Sequence, residues 1–592
     1  MPASEPCPSE TTAQKPETIY IDLETTGLNP AQDEITTIGF RVRGRTGVSI
    51  SELAKLLEDP NNTIVGHNVK FDVAFLSRAG FTIKAKLFDT KVLAYCANPF
   101  RQLGLGALGE EVLKVKHITF DSMPTKKKEL DPTKTYTKVG RYYISDEELA
   151  KKNQEDVELT ARLSTAIPQT EWFRKVEQPL TDLLAKMETK GLNIDQPYLK
   201  GYQADLEARL AVLEKDIKAV VPIVNLNSGQ QMSRGLKFIK LPLERYAEKT
   251  KTGHWGVDKT VLKKLAWDGH TICNKILEYR KLFKLKSTYV DMLLEDSKSD
   301  GRIHGFFNQA GKVVSSGDDL GTRTGRLSSS DPNLQNIPAR SADGLAIRRS
   351  FIPSKDCLLF DTDLKQIEPR YVAYLTQSPK LIKAYNTGID THALFASDIF
   401  SKDMSKLTKM ERFIGKSSWL ATVYGCTPPK LKFICELFSE DRLPYDEDFY
   451  REVQDNFWAK NPEIAAWRRC HIESTRRLGY IKTYGGRTIH IPNLNSKREW
   501  ERQSAERQAV NYAVQGSCAD IMKLIMLEMD NKLDVYLLAV VHDEIVGEYN
   551  QMKCSAIDMK KNIDYIMTNT CSLKNVPIEA DTKIVSNWGE AK

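Results

Sequence analysis

The segment CLLFDTDLKQIEPR, residues 357–370, most constrains what this chain can fold into. Its apolar residues predict a buried strand that carries Asp361 and Asp363. A second apolar run, residues 537–541, leads into Asp543 and then resumes, as a hairpin would. Carboxylates at strand ends suit Mg²⁺, which takes oxygen ligands. We therefore predict that Asp363 and Asp543 meet and hold two metal ions that assist phosphoryl transfer.

The segment between these acids predicts a helix with an ordered stripe of side chains. In ERFIGKSSWLATVYG, four residues recur at intervals of four and so lie along one helix face: Arg412, Lys416, Leu420 and Tyr424. Two cations, then an apolar and an aromatic residue, match a nucleotide laid along that face with its triphosphate at the cationic end. The alternative is a solvated face with basic ends, which explains the cations but not their order.

Acidic residues also recur in three separated segments near the N-terminus. TIYIDLETTGLNP predicts a strand with Asp22 and Glu24 on one face, because side chains two apart point the same way. Asp72 follows in a predicted helix, and Asp156 lies in a second, amphipathic helix. Asp22 and Glu24 alone fit a strand-end turn equally well. Together, the four acids could hold two metals that activate water against a phosphodiester.

Composition sets only broad limits. The 592 residues, 41% of them hydrophobic, allow several packed cores. A net charge of +7 fits a basic groove with acidic pockets as well as a bland surface. The ten Cys form no C-x-x-C pair, so a reducing compartment is expected rather than a zinc or disulfide framework. No segment approaches the roughly 18 apolar residues of a membrane span.

Five ordered segments resemble the family A DNA polymerases, of the bacterial DNA polymerase I type without the 5′ nuclease. DTDLKQIEPR resembles motif A, RFIGKSSWLATVYG motif B and VVHDEIV motif C. TGRLSSSDPNLQNIP resembles the segment before motif A, and AERQAVNYAVQGSCADIMK the helix before motif C. The resemblance implies an α/β multidomain fold, with a ribonuclease H-like exonuclease followed by a right-hand polymerase of palm, fingers and thumb. The implied organisation is a disordered tail at 1–17, the exonuclease at 18–170, connection and thumb at 171–300, palm at 301–400 and 496–592, and fingers at 401–495.

The resemblance also implies roles for single residues. Asp363 and Asp543 would hold the polymerase metals, with Lys416 as general acid to the leaving pyrophosphate. The implied exonuclease ligands are Asp22, Glu24, Asp72 and Asp156. The implied nucleotide contacts are Arg412, Lys416, Leu420, Tyr424, Gln366, Glu368 and His392. The implied DNA contacts are Arg326, Asn333, Gln335, Asn336, Arg370, Arg507, Asn511, Gln515, His542, Lys284 and Lys286.

The implied cofactors are two Mg²⁺ ions at each site, with Mn²⁺ as a substitute, and the implied partners are primer-template DNA and dNTPs. Glu368 matches the family residue that excludes the ribose 2′-hydroxyl, so deoxynucleotides are expected. We expect a monomer with no membrane partner. We expect it in the cytoplasm, associated with the nucleoid, or in the host cytoplasm if the protein is viral. An organelle is the alternative.

Three positions depart from the family pattern. Lys152 replaces a Tyr one helical turn before Asp156, and lysine is a donor with no acceptor. We therefore predict an exonuclease that binds metal but is slower or altered. Leu420 stands where the family has Phe or Tyr, and Leu364 where it often has Tyr. We hypothesise altered discrimination against dideoxy terminators and a relaxed choice of template or sugar, including the copying of RNA.

Other classes explain less of the sequence. A metal-dependent 3′–5′ exonuclease of the ribonuclease D kind, with a non-catalytic nucleic-acid-binding C-terminal region, leaves Asp363, Lys416 and Asp543 without a role. Glu368 and the N-terminal acids argue against a single-subunit RNA polymerase. A helicase is disfavoured because no P-loop occurs. A non-catalytic DNA-binding protein would share only the basic helix near residue 284. Arg487 is either a nucleic-acid contact or a turn anchor.

Overall fold

The chain divides into two compact units. The computed structural model describes residues 15–45, 49–117, 135–139, 142–310, 322–439 and 442–592. Most of the predicted tail, residues 1–14, lies outside these ranges. The first unit comprises residues 1–189 and 308–323, and the second unit residues 190–307 and 324–592.

The first unit contains a mixed four-stranded sheet and a small hairpin. Its strands are β1 (Thr18–Thr25), β2 (Ile35–Val42), β3 (Thr63–Gly66), β4 (Lys86–Asp89), β5 (Tyr136–Val139) and β6 (Tyr142–Ser145). Its helices are α1 (Ile50–Glu58), α2 (Val69–Arg78), α3 (Thr90–Ala97), α4 (Leu105–Leu108), α5 (Asp146–Ala166) and α6 (Gln178–Lys190), with π-helical turns at Gly109–Leu113 and Phe173–Glu177.

β1 lies inside the sheet, whose order is β2-β1-β3-β4. It runs antiparallel to β2 and parallel to β3. Ile19, Ile21 and Leu23 are buried in the core. Asp22 and Glu24 alternate with them and therefore share the opposite face.

The first segment of this unit ends at residue 189, beyond the predicted exonuclease boundary at 170. The reason is that α6 is tied to this unit. The amide of Leu87 donates to Asp182 at 2.7 Å, and Lys70 pairs with Glu188. Such partners lie about a hundred residues apart in the chain, so local sequence patterns do not reveal them.

The second unit is larger and mainly helical. Its strands are β7 (Leu192–Ile194), β8 (Arg302–Ile303), β9 (Phe306–Asn308), β10 (Ser328–Ser330), β11 (Phe351–Ile352), β12 (Cys357–Leu364), β13 (Tyr480–Lys482), β14 (Thr488–His490), β15 (Tyr536–Val541), β16 (Glu544–Asn550) and β17 (Ala580–Val585). Its first helices are α7 (Gln196–Val220), α8 (Gly229–Phe238), α9 (Lys259–Trp267), α10 (Ile272–Lys284), α11 (Asp291–Asp296), α12 (Ala342–Arg349), α13 (Ile367–Thr376) and α14 (Pro379–Thr387). The remaining helices are α15 (Thr391–Phe400), α16 (Lys409–Val423), α17 (Pro428–Phe438), α18 (Glu447–Lys460), α19 (Pro462–Leu478), α20 (Glu499–Lys532) and α21 (Ala556–Asn569). In the part of the chain that the structure describes, no helix is long and apolar enough to cross a bilayer.

A four-stranded antiparallel sheet, in the order β15-β16-β12-β17, carries the first predicted site. The predicted strand at 357–364 and the predicted hairpin of β15 and β16 are both confirmed. β12 lies inside the sheet, where the hydroxyls of Thr362 and Thr582 are 2.7 Å apart. The end of β12 therefore lies beside the turn of the hairpin.

α16 is held close to α15 because Gly415 has no side chain. A Cβ at Gly415 would lie 2.8 Å from the Cβ of Ala396. The ring of Trp419 stacks on Phe395 with centroids 4.2 Å apart. These contacts bury one face of α16 and leave Arg412 and Lys416 exposed on another.

Candidate active sites

Three carboxylates converge in the first unit. Asp22, Glu24 and Asp156 each offer an oxygen, and these oxygens lie within 4.8 Å of one another. Asp72 joins them from α2, where its carboxylate accepts the amide of Leu23 at 3.0 Å. The structure thus brings together acids from the three segments that the sequence singled out.

Lys152 lies between two of these acids. Its Nζ is 2.7 Å from Glu24 Oε1 and 2.6 Å from Asp156 Oδ2, and its side chain is 8% exposed. Burial lowers the pKa of Lys152, but the two carboxylates outweigh burial and raise it to about 12. The side chain is therefore a charged ammonium within the carboxylate cluster.

Two further partners were not predicted from the sequence. Asn153 donates to Asp22 Oδ2 at 2.8 Å, and Gly39 makes room for it, since a Cβ there would lie 2.1 Å from Asn153 Oδ1. His117 Nε2 is 2.5 Å from Asp156 Oδ1. The position of Asn153 on the same helix face as Asp156 was a usable signal. We find none in the sequence for His117.

The cluster carries more negative charge than its protein partners neutralise. Burial, followed by the charges of Asp156 and Glu24, raises the pKa of Asp22. Burial and then Asp22 raise the pKa of Asp72. Carboxylate oxygens under mutual repulsion are the donor set that a divalent cation binds. These residues therefore fit a metal site.

In the second unit, Asp363 and Asp543 lie at neighbouring strand ends, as predicted. Asp363 is opposite Glu544 in the β12–β16 register, and the Leu364 amide donates to the Asp543 carbonyl at 3.1 Å. Burial raises the pKa of Asp363 to about 6, with a further contribution from Asp543. Burial also raises the pKa of Asp543 to about 6, against the opposing effect of Arg326. This pair also fits a divalent cation.

A second layer of buried charge supports this pair, and its composition was not predicted. Trp588 Nε1 donates to Asp361 Oδ2 at 3.0 Å and to Glu544 Oε1 at 3.1 Å. Arg348 and Lys592 pair with Glu544 at 3.1 and 2.7 Å. Burial raises the pKa of Asp361. Although burial acts in the same direction on Glu544, its partners lower the pKa of that carboxyl.

Glu368 accepts hydrogen bonds from both Arg326 and Tyr424. Arg326 Nη2 also lies 3.6 Å from Asp543 Oδ1. Tyr424 follows the last residue of α16 as its C-cap, so the predicted stripe is helical only as far as Leu420. In this structure Arg326 and Tyr424 are therefore engaged by an acid that the sequence assigned to substrate selection.

The cationic end of the stripe is beside the N-terminus of α15. Arg412 Nε donates to Asp390 Oδ2 at 2.7 Å. Burial and the nearby cations Arg340 and Arg412 lower the pKa of Lys416. The buried Nδ1 of His392 has no hydrogen-bond partner within the described residues. These groups offer positive charge and a free polar atom to an anionic ligand.

The other predicted contacts are in several environments. Gln366 accepts the Thr391 hydroxyl at 2.6 Å, and Gln335 donates to two carbonyls at 3.1 Å. Lys286 pairs with Glu207 and Asp291 at 3.1 and 3.0 Å. The exposed residues are Asn333, Asn336, Lys284 and His542, and the half-buried ones are Arg507, Asn511, Gln515 and Leu420.

The DNA contact by Arg370 stays a prediction, and in this structure Arg370 is engaged by protein partners. Arg370 is 5% exposed, pairs with Glu579 at 2.7 Å and lies over the ring of Tyr385. Its guanidinium is used to tie α13 to the segment before β17.

Leu364 is 2% exposed and therefore packs in the core.

Arg487 is a turn anchor, which resolves the alternative left open by the sequence. It is 5% exposed, pairs with Asp520 at 2.9 Å and donates to the Thr324 carbonyl at 2.6 Å.

Known proteins are similar to this chain in sequence and fold. Residues 196–590 match the family model "DNA polymerase family A", and residues 9–167 match the family model "3'-5' exonuclease". The chain is 35% identical over 425 residues to "DNA polymerase I, thermostable" of Thermus aquaticus, covering 71% of this chain and 48% of that protein. It is 28% identical over 628 residues to "DNA polymerase I" of Pseudomonas aeruginosa, covering 98% and 64%. The chain thus spans about half to two thirds of the length of these relatives.

A solved structure supports the predicted fold class. The "POL domain of Pol1 from M. smegmatis complex with DNA primer-template and dNTP" is 26% identical, with a TM-score of 0.78, and the match covers 97% of this chain and 96% of that one. The prediction of an exonuclease domain followed by a right-hand polymerase is confirmed. Asp363 and Asp543 both lie inside the matched residues 196–590. This chain belongs to DNA polymerase family A.

Proposed function

We propose that the chain is a template-directed DNA polymerase that adds deoxynucleotides to a primer 3′ end, and that its first unit is a 3′–5′ exonuclease. The observation that carries the polymerase proposal is the adjacency of Asp363 and Asp543, two acids of raised pKa on neighbouring strand ends. Both acids lie inside the region matched to the polymerase family.

Polymerases and exonucleases of these families depend on metal ions. We propose Mg²⁺ at both sites, with Mn²⁺ as a substitute, because the donors are carboxylate oxygens. Asp363 and Asp543 would hold two ions in the second unit, and the four N-terminal acids would hold two in the first. When bound, such ions stabilise charge on the oxygens that attack and leave phosphorus.

The nucleotide would bind along α16. Arg412 and Lys416 offer charge to the triphosphate, and Arg412 would exchange Asp390 for phosphate oxygens. The lowered pKa of Lys416 suits it to give a proton to the pyrophosphate leaving group. His392 would use its unpaired nitrogen at the same phosphates.

Selection of the sugar would depend on Glu368 and Leu420. The hydrogen bonds from Arg326 and Tyr424 fix the Glu368 carboxylate, which supports a role in rejecting ribose. Leu420, the last helical residue of the stripe, is half-buried. Because it stands where the family has an aromatic residue, the proposal includes altered dideoxy discrimination and tolerance of an RNA template. The substrates we propose are primer-template DNA and dNTPs, bound by a monomer in the cytoplasm.

Primer extension tests this proposal. The full chain is given a 3′-mispaired primer on DNA or RNA template, with dNTPs, rNTPs or no nucleotide, in Mg²⁺, Mn²⁺ or chelator. We expect extension with dNTPs on DNA and shortening without nucleotides, both abolished by chelator. Asp363→Asn should lose extension and keep shortening. The control Asp455→Asn, at an exposed position, should keep both extension and shortening. Shortening without extension by the unmodified chain would instead support an exonuclease with a non-catalytic C-terminal region.

A further inference from the structure

We propose that the Lys152 ammonium is a built-in competitor of the metal ion in the exonuclease site, so that this site binds a divalent cation only when Lys152 leaves its carboxylates. The inference rests on the proposed exonuclease function of the first unit. It goes beyond that function by naming the residue that sets the metal requirement.

The ammonium uses the same oxygens that a metal would need. Lys152 Nζ contacts Glu24 Oε1 and Asp156 Oδ2, and both residues belong to the group of three acids whose oxygens lie within 4.8 Å. An ammonium and a divalent cation on these oxygens would repel each other at short range. The site therefore holds one or the other.

The backbone fixes Lys152 at this place. It lies four residues before Asp156 on α5, a helix of 21 residues. At this spacing two side chains are neighbours on one face, so Lys152 reaches Asp156 without any rearrangement of the helix. Its side chain is 8% exposed, so little water competes with the pairs.

Two other carboxylate oxygens of the cluster also have protein partners. Asn153 donates to Asp22, and His117 lies 2.5 Å from Asp156 Oδ1. The acids are thus joined to protein partners, one of which is the Lys152 cation. A divalent ion would gain the carboxylates only by breaking two charge-assisted pairs, which lowers its apparent affinity.

Direct metal binding tests this inference. Asp363→Asn and Asp543→Asn are combined in the full chain to remove the polymerase pair, and Mn²⁺ alone is titrated by electron paramagnetic resonance. In this background, Lys152→Met should raise Mn²⁺ affinity at least tenfold. The matched control is Lys151→Met, which removes an exposed lysine next to Lys152 and should leave affinity unchanged within twofold. Equal affinities for Lys152→Met and Lys151→Met would overturn the inference.

Thermal melting adds a readout that is independent of activity. Without metal, Lys152→Met should melt at a lower temperature than Lys151→Met, because two buried carboxylates lose their cation. Mn²⁺ should raise the melting temperature of Lys152→Met by more than it raises that of Lys151→Met. If Lys152→Met does not fold, Lys152→Gln keeps a hydrogen-bond donor without the charge and should show the same increase in affinity. If no variant binds Mn²⁺ or shortens a primer, the exonuclease proposal fails as well. Normal shortening with equal Mn²⁺ affinities would overturn only the role of Lys152.

Discussion

The amide of Leu364 donates to the carbonyl oxygen of Asp543 at 3.1 Å. This bond ties the end of β12 to the turn of the β15–β16 hairpin, so the backbone itself holds Asp363 beside Asp543. Burial raises the pKa of both carboxyls, Asp543 adds to this effect on Asp363, and Arg326 opposes it at Asp543. The first prediction follows from this arrangement.

Asp363→Asn should stabilise the metal-free protein above about pH 6 while abolishing primer extension. The folded pKa of about 6 exceeds the unfolded value of about 3.9. The Asp363 carboxyl therefore stays protonated to a higher pH in the folded state than in the unfolded state. The stability of the folded state falls as pH rises from about 4 through about 6. In chelator at pH 8 the variant should melt about 1–2 °C higher than the unmodified chain, with no difference near pH 4. Scanning fluorimetry with Asp455→Asn as control measures this, and a lower melting temperature at pH 8 would contradict it.

Trp588→Phe should destabilise the second unit and slow extension. The indole N–H is the shared donor to Asp361 and Glu544, and the side chain is fully buried. Phenylalanine keeps much of the packing against Phe351 but leaves two buried acceptors short of a donor. The expected cost is about 1–3 kcal/mol. Denaturant unfolding of this variant is compared with Trp500→Phe, whose side chain is 67% exposed. Equal midpoints for the two variants would refute the role of the indole.

Arg507→Gln and Arg370→Gln should differ in their effect on DNA binding. Arg507 is half-buried in α20 in a row with Asn511 and Gln515, whereas Arg370 is enclosed by Glu579 and Tyr385. Loss of a phosphate contact at Arg507 should weaken duplex binding and reduce the slope of log affinity against log salt by about one. Arg370→Gln should lower stability and leave that slope unchanged. Fluorescence anisotropy from 50 to 300 mM salt checks both, and a reduced slope for Arg370→Gln alone would reverse the assignment.

Leu420→Phe should change discrimination between dNTP and ddNTP by at least tenfold. An aromatic ring at this half-buried position would contact the nucleotide sugar, which a shorter aliphatic side chain contacts differently. Steady-state kcat/KM for the two nucleotides is measured in both proteins, with Leu478→Phe as a surface control since Leu478 is 49% exposed. Identical ratios would reject a role for Leu420 in sugar selection.

The sequence predicted the strands and the helix that bear the candidate site residues better than it predicted the buried hydrogen bonds and ion pairs around them. Asp363, Asp543 and the stripe on α16 were predictable because strand and helix periodicity place them locally, and the family motifs then connect them. The partners of Glu544 were not predictable, because Arg348 and Trp588 lie 196 and 44 residues from it along the chain.

Arg370 and Lys152 also make contacts with distant segments that the sequence pattern did not predict. Arg370 sits in a polymerase motif, yet it pairs with Glu579 and the Pro577 carbonyl oxygen, both more than 200 residues away along the chain. Lys152 was visible as a departure from the family pattern. Its contact with both Glu24 and Asp156 required the packing of α5 on β1, which spacing alone does not specify.

The most direct test of the central claim is a crystal structure of the full chain with primer-template DNA, dideoxy-terminated primer, dNTP and Mn²⁺, using anomalous scattering to locate the metal. The account predicts two anomalous peaks about 3.5–4 Å apart, bridged by the carboxylates of Asp363 and Asp543. Peaks that contact neither carboxylate, or a bound dNTP with no metal beside these residues, would contradict it.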